Sequence, residues 1–283
     1  MNTVKWLNRS GLLLLALSTI GTACSSSAPE PPPASIDPVA NIDPLEALYA
    51  SPVEFPAAWR FTAGAEPTSG RRGMVVSTDS LASAAGLEIL KAGGNAVDAA
   101  IAVQFALAVV HPVAGNIGGG GFMVARLADD TRFALDFREE APGAASKDMY
   151  LDDAGDVTDA SWVGHLAAGV PGSVAGMEAA HERYGTLPWD RLLAPAIRLA
   201  RDGFVVESRH HDDLFWGRER LSRFSATAAA FLPSGQAPPK GSTFRQPELA
   251  RTLATVSARG ALGFYRGGGG EASAGGWSRG GGR

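Results

Sequence analysis

The stretch HPVAGNIGGGGFMVARLADDTRFALDFRE, residues 111–139, holds the side chains and backbone best suited to chemistry. It contains His111, four consecutive glycines at 118–121 and a lone arginine, Arg138, at the exit of an apolar segment. No Gly-Lys-Ser/Thr follows the glycines, which rules out a P-loop. They precede a strand pattern instead of opening a helix, so they also fit a dinucleotide fingerprint poorly. Two readings of them stay open: a passage where two backbones approach closely, or a loop that faces a ligand. Arg138 by itself reads more readily as a surface or ion-pair arginine than as a ligand clamp. The five histidines (111, 165, 181, 210 and 211) show no metal-ligand spacing, and no metal or cofactor is expected. His210 and His211 stand beside Asp212 and Asp213 and read as a solvated turn, as do Asp152 and Asp153. No Gly-x-Ser-x-Gly elbow occurs. A single cysteine excludes an internal disulfide framework and any Cys-based zinc cluster.

The elements that must position these residues begin near Gly73. TDSLASAAGLEILKAGG has helix-start residues, apolar positions at helical spacing, and Gly93 with Gly94 to stop it. Asn95 is placed to cap a second helix, with Asp98 completing a capping box. That helix, AVDAAIAVQFALAVVHP, is apolar all round after Asp98 and predicts a buried central element ending before Pro112. It is too short to span a bilayer. GFMVARL and RFALDF, joined by the polar turn at 128–131, predict a β-hairpin that delivers Arg138 where its second strand ends. VPGSVAGMEAAHERYG and LPWDRLLAPAIRLARDG predict two amphipathic helices closed by Gly185 and Gly203. QPELARTLATVSARG predicts a last helix ending at Gly260, whereas residues 215–245 show no clear period.

Both ends of the chain differ from this body. Residues 1–24 carry Lys5 and Arg9, an apolar run and then small residues before Cys24, the layout of an export signal. The small residues resemble a lipoprotein processing site that would leave Cys24 acylated, although Gly21 stands where leucine is usual; cleavage after Ala23 is the rival reading. Residues 25–72 open with a run rich in Pro, Ser and Ala and predict a tether or a stub left by cleavage. The folded domain is expected over 73–266. Residues 267–283 are mostly Gly with Ser, Ala and Arg, which suits a flexible tail or the translation of a shifted reading frame. A net charge of −4 with no basic run argues against nucleic acid as a partner.

Taken together, GGNAVDAAIAVQFALAVVHPVAGNIGGGGFMVARL, ALDFREEAP and GVPGSVAGMEAAHERYGTLPWDRLLAPAIRLARDGF resemble the N-terminal, large-subunit part of γ-glutamyltransferases (glutathione hydrolases). The likeness runs from Gly73 to about Asp213 and continues more thinly to GFYRG near residue 265. It implies an α+β fold, part of an αββα N-terminal-nucleophile hydrolase sandwich. It also implies that Arg138 binds the α-carboxylate of the γ-glutamyl group of glutathione or a related donor. A planar guanidinium with two parallel N–H donors suits that task, and the glycines would let the central helix and the strand approach one another nearby.

The family's nucleophile is a threonine that begins the small subunit, with its own α-amine as base. No threonine in this sequence is followed by threonine or histidine. The resemblance therefore implies half a site, no catalytic residue of its own, a small subunit as partner and no activity for this chain alone. The buried helix would then lack the strands it packs on and would face water, along with a sheet edge. The remaining alternatives are a separately encoded catalytic partner, or an exported, non-enzymatic binding protein for γ-glutamyl or amino-acid ligands. The expected location is the cell envelope of a bacterium, with membrane contact only through a lipid on Cys24.

Overall fold

The computed structural model describes residues 68–266, the short strand Lys5–Leu7 and Gly275. Cys24, the rest of the export signal, the tether up to residue 67 and nearly all of the glycine-rich tail lie outside the described residues. The elements below all belong to one unit of the chain.

Helix α1 (Ser80–Lys91) starts where Asp79 accepts a hydrogen bond from the Leu81 amide at 2.8 Å. Its inward face carries Ala82, Ala85, Gly86 and Ile89, small residues that bring it close to helix α2 (Ala96–Val110). A Cβ at Gly86 would lie 2.6 Å from Val103 Cγ2, so only glycine permits that spacing. Asn95 and Asp98 form the expected capping box. The Asn95 side chain accepts from the Val97 and Asp98 amides, and Asp98 Oδ2 accepts from the Asn95 amide at 3.0 Å.

Helix α2 is buried by this chain's own elements, which corrects the expectation that it would face water. Ile101, Ala102, Phe105, Ala106 and Val109 are essentially inaccessible. Around α2 pack α1, helix α3 (Ser173–Tyr184) and helix α4 (Trp189–Asp202), and α4 in turn packs on helix α7 (Pro247–Arg259). Phe105 meets Trp189 edge to face, and the Trp189 indole N–H donates to the Val256 carbonyl at 3.0 Å. Beyond α7 comes a further short helix, α8 (Leu262–Tyr265), so the helix ending at Gly260 is not the last.

Strands β2 (Phe122–Arg126) and β3 (Arg132–Asp136) form the predicted hairpin, with Phe122 opposite Asp136 and Arg126 opposite Arg132. Its tight turn places Asp130 at φ 67°. Strand β1 (Lys5–Leu7) pairs antiparallel with the other edge of β3. Phe133 and Leu135 point into the core, and Phe133 stacks on Tyr184 of α3 at 4.1 Å. The opposite face is open: Phe122 and Val124 are largely exposed, and β2 has no outer partner among the described residues.

The segment without a readable period is mostly helical: α5 (Ser208–Ser222) and α6 (Ser225–Phe231) precede a two-residue strand, β5 (Thr243–Phe244), which pairs with β4 (Phe204–Val205). His210 and His211 lie in the first turns of α5 and not in a solvated turn. His210 is buried, and His211 Nδ1 lies 2.8 Å from the Pro238 carbonyl. Among α5 residues only His210 and Leu214 are buried, so the helix carries no apolar stripe for periodicity to detect. Among the described residues, no helix is long and apolar enough to cross a membrane.

Asp98 is fully buried and, besides its cap, accepts from the Thr186 amide at 3.1 Å and the Thr186 hydroxyl at 2.5 Å. It thereby ties the start of α2 to the loop between α3 and α4. Replacing it strands several buried donors, so Asp98→Ala should lower stability by about 3 kcal/mol. A urea unfolding curve of the variant beside the parent chain measures this.

Candidate functional site

Strand β3 delivers the chain to Phe137, and Arg138 follows at the surface. The Arg138 amide donates to Asp136 Oδ1 at 3.0 Å, which sets the turn out of the strand. The ladder runs one step past β2: the Phe137 amide donates to the Gly121 carbonyl at 3.0 Å. On the other side, Glu140 exchanges both backbone hydrogen bonds with Val170. Residues 137–140 therefore run between the glycine segment and the approach to α3.

The glycines make that passage narrow. A Cβ at Gly120 would fall 2.5 Å from the Phe137 carbonyl oxygen and 2.6 Å from the Glu139 nitrogen. One at Gly172 would fall 2.0 Å from the same carbonyl oxygen, and one at Gly176 would penetrate the Phe137 side chain at 2.3 Å. The close-passage reading of the glycines is the one the geometry matches, with a correction of partner. They do not bring the central helix against the strand. They press on the exit of β3 and on the N-terminus of α3, where the Gly119 carbonyl accepts from the Gly172 and Ser173 amides at 2.8 and 2.9 Å. That carbonyl satisfies amides a helix start otherwise leaves unpaired.

Pattern reading did not single out the second wall. Gly172 and Gly176 are separated by a helical turn, and each meets Phe137, which leaves no trace in local periodicity. Tyr265 of α8 was missed too: its hydroxyl donates to the Pro171 carbonyl at 2.9 Å and accepts from the Ala175 amide at 3.3 Å. Burial pushes this hydroxyl above its ordinary pKa, so it stays a donor at working pH. The buried Ser173 hydroxyl, next to Gly172 in sequence, has no hydrogen-bond partner among the described residues.

With its backbone wedged in this way, Arg138 presents an exposed guanidinium that makes no hydrogen bond or ion pair among the described residues. A rigid stem and a free two-pronged cation are what binding of a carboxylate requires. Of the other candidates, Asp152 caps its own turn by accepting from the Ala154 and Asp156 amides. His111, His210 and Asp79 form a separate group at the start of α5. Cys24 lies outside the described residues.

Two alanine substitutions separate the walls from their neighbour. Gly172→Ala should cost about 3 kcal/mol, because the carbonyl it meets cannot move without shifting the strand. Gly118→Ala, whose nearest neighbour would be Asn116 Oδ1 at 4.0 Å, should stay within about 0.5 kcal/mol. Paired chemical-denaturation curves measure both.

The family model described as Gamma-glutamyltranspeptidase matches residues 82–282, running into the glycine-rich tail. The glutathione hydrolase proenzyme of Pseudomonas sp. (strain A14) is 51% identical over 203 residues, 71% of this chain and 35% of that protein. The glutathione hydrolase proenzyme of Escherichia coli (strain K12) is 47% identical over the same length. The chain thus spans about a third of these curated relatives. Among solved structures, Helicobacter pylori γ-glutamyltranspeptidase superposes with a TM-score of 0.75 at 45% identity, covering 77% of this chain and 63% of that one. The α+β arrangement described above is accordingly the large-subunit portion of an αββα N-terminal-nucleophile hydrolase sandwich. The chain belongs to the γ-glutamyltranspeptidase family and corresponds to its N-terminal, large-subunit region.

Proposed function

We propose that these residues form the carboxylate-binding half of a γ-glutamyltransferase or glutathione hydrolase, with Arg138 gripping the α-carboxylate of the γ-glutamyl donor. The observation that carries this reading is the contrast at Arg138: a backbone locked between two glycine walls and a guanidinium left free. Glutathione, or another γ-glutamyl compound, is the donor class. The nucleophile comes from outside these 283 residues, in which no threonine precedes threonine or histidine. In the complete enzyme a threonine hydroxyl attacks the γ-carbonyl, its α-amine takes the proton and passes it to the departing amine as the γ-amide bond breaks, and an amino acid, peptide or water later receives the acyl group from the threonine ester. A small subunit supplies those parts; that relatives are named proenzymes supports a single precursor as its source. A separately encoded partner would fill the same role. An exported binding protein, the remaining alternative, would use Arg138 without turnover in any assembly.

The domain layout goes with this reading: an export signal over 1–24, a tether to residue 72, the family domain over 73–266 and a tail. Export places the protein at the cell envelope, held there by a lipid on Cys24. Removal of the signal takes β1 with it and opens the second edge of β3.

Three outcomes test the proposal. The chain by itself should release no nitroaniline from a chromogenic γ-glutamyl anilide, since removing even one oxyanion donor typically costs about a hundredfold. Joined to the remaining part of the Pseudomonas sp. (strain A14) relative, it should gain turnover. In that chimera Arg138→Lys should raise KM by about ten- to a hundredfold, because lysine keeps the charge and loses the fork. Turnover by the unaccompanied chain contradicts the half-site, and an unchanged KM removes Arg138 from the substrate. A chimera that stays inactive although folded favours the binding protein. Labelled palmitate should enter the chain in bacterial cells and fail to enter Cys24→Ser; equal labelling excludes the lipid on Cys24.

A further inference from the structure

Helix α5 is joined to the start of α1 and the end of α2 by polar groups on two consecutive residues, Arg209 and His210. His210 Nε2 lies 2.9 Å from Asp79 Oδ2, and both side chains are less than a tenth exposed. The Glu207 amide donates to His210 Nδ1 at 3.1 Å, which turns the Nε2 edge of the ring toward the carboxylate. Burial by itself would raise the pKa of Asp79. The hydrogen bonds from His210 and from the Leu81 amide outweigh it and hold the carboxyl below its ordinary value. Arg209 reaches three ways: to the Thr78 carbonyl, to Asp213 at 3.7 Å, and to within 3.3 and 3.5 Å of the two ring nitrogens of His111.

His111 stands at a junction. Its amide closes α2 by donating to the Leu107 carbonyl, and its own carbonyl accepts from the Ala114 and Gly115 amides, which start the loop into the glycine run. Its side chain is buried. Facing it are Arg209, His210 and Asp213 from α5 and Asp79 from the start of α1. Burial, and then the Arg209 charge, lower its pKa; Asp213 and Asp79 oppose them without prevailing. The fold therefore favours neutral His111. Its contribution to stability is complete above the ordinary histidine pKa of about 6.5 and is lost as the pH falls from there through the lower folded value.

We propose that Arg209 and His111 form an acid-sensitive clasp that holds the loop at 111–121 against α5 at neutral pH and releases it on acidification. The contact between His210 and Asp79 stays closed as the pin. Protonating His111 sets an imidazolium against the Arg209 guanidinium, and Arg209 keeps Asp213 and the Thr78 carbonyl as partners. The loop freed by the clasp ends in the glycines that press on the Arg138 backbone. Acid would thus loosen the carboxylate grip, a consequence that rests on the function proposed for Arg138.

Hydrogen exchange followed by mass spectrometry on the full chain, at about pH 7.5 and about pH 5.5, tests the clasp in the range where histidine titrates. After correction for intrinsic rates, protection over 111–121 should fall several-fold at the lower pH, while the first turns of α5 keep theirs. His111→Asn and Arg209→Gln should each abolish the pH dependence. An NMR titration should place the His111 ring below ordinary histidine, and Arg209→Gln should move it upward. Equal protection at both pH values overturns the clasp, as does pH dependence that survives both substitutions. Should a variant fail to fold, the ring titration of the parent chain decides: a value at or above that of free histidine overturns the proposal. None of these readouts involves turnover, so failure of the clasp and failure of the Arg138 reading are seen separately.

Discussion

The rest of the structure depends on the close passage of backbone at Phe137. Gly120 lies against it from the loop side, Gly172 and Gly176 from α3, and no side chain larger than hydrogen fits at any of the three. Interiors pack too densely to absorb an added methyl without moving a neighbour; at Gly120 and Gly172 the neighbours are main-chain atoms, and at Gly176 the neighbour is the buried Phe137 side chain. The consequence is positional. Arg138 hangs from a segment whose path is set on both sides, so its guanidinium can be free without its stem being loose.

A second constraint is polar and lies under the first. Helix α2 has apolar residues on nearly every side, which would let it slide or rotate among its neighbours. Directional bonds at its two ends remove that freedom. At the start, Asp98 holds Thr186, and Asn95 Nδ2 donates to the Tyr184 carbonyl at 2.6 Å. At the end, the Gln246 side chain donates through Nε2 to the Val109 carbonyl at 2.7 Å. Buried hydrogen bonds of this kind add modest net stability but are expensive to break, so they select one register of an otherwise slippery element. The register of α2 then sets where His111 leaves it, and hence where the glycine loop begins.

The exposed face of the hairpin has a different character. Phe122 and Val124 stand in solvent on a strand whose outer edge is unpaired among the described residues, with Met74 and Val76 also exposed. Open apolar surface next to a free sheet edge is costly for a protein that stands alone. It is in keeping with a chain that spans about a third of its curated relatives. On the helical side, α1, α3 and α4 pack around α2 with α7 behind α4, and Phe133 and Leu135 of β3 belong to the same core.

Much of this was legible in the sequence, and the reason is local. Asp79, Asn95 and Asp98 announce helix starts through bonds to amides two and three residues away, and the hairpin through alternation and a polar turn. The residues around Arg138 could be located by the same means, as the exit of a strand following a glycine run. What pattern could not reach was set by contacts between distant segments. Gly172 and Gly176 matter because Phe137 lies against them, and Tyr265 because Pro171 and Ala175 do. Helix α5 escaped because it docks through His210 and Arg209 and not through an apolar stripe. The sequence alone determined the helix starts, the hairpin and the place of Arg138 along the chain. Only the tertiary structure decided what the glycines press against and which histidines are buried, because those are properties of packing between residues far apart, to which periodicity is blind.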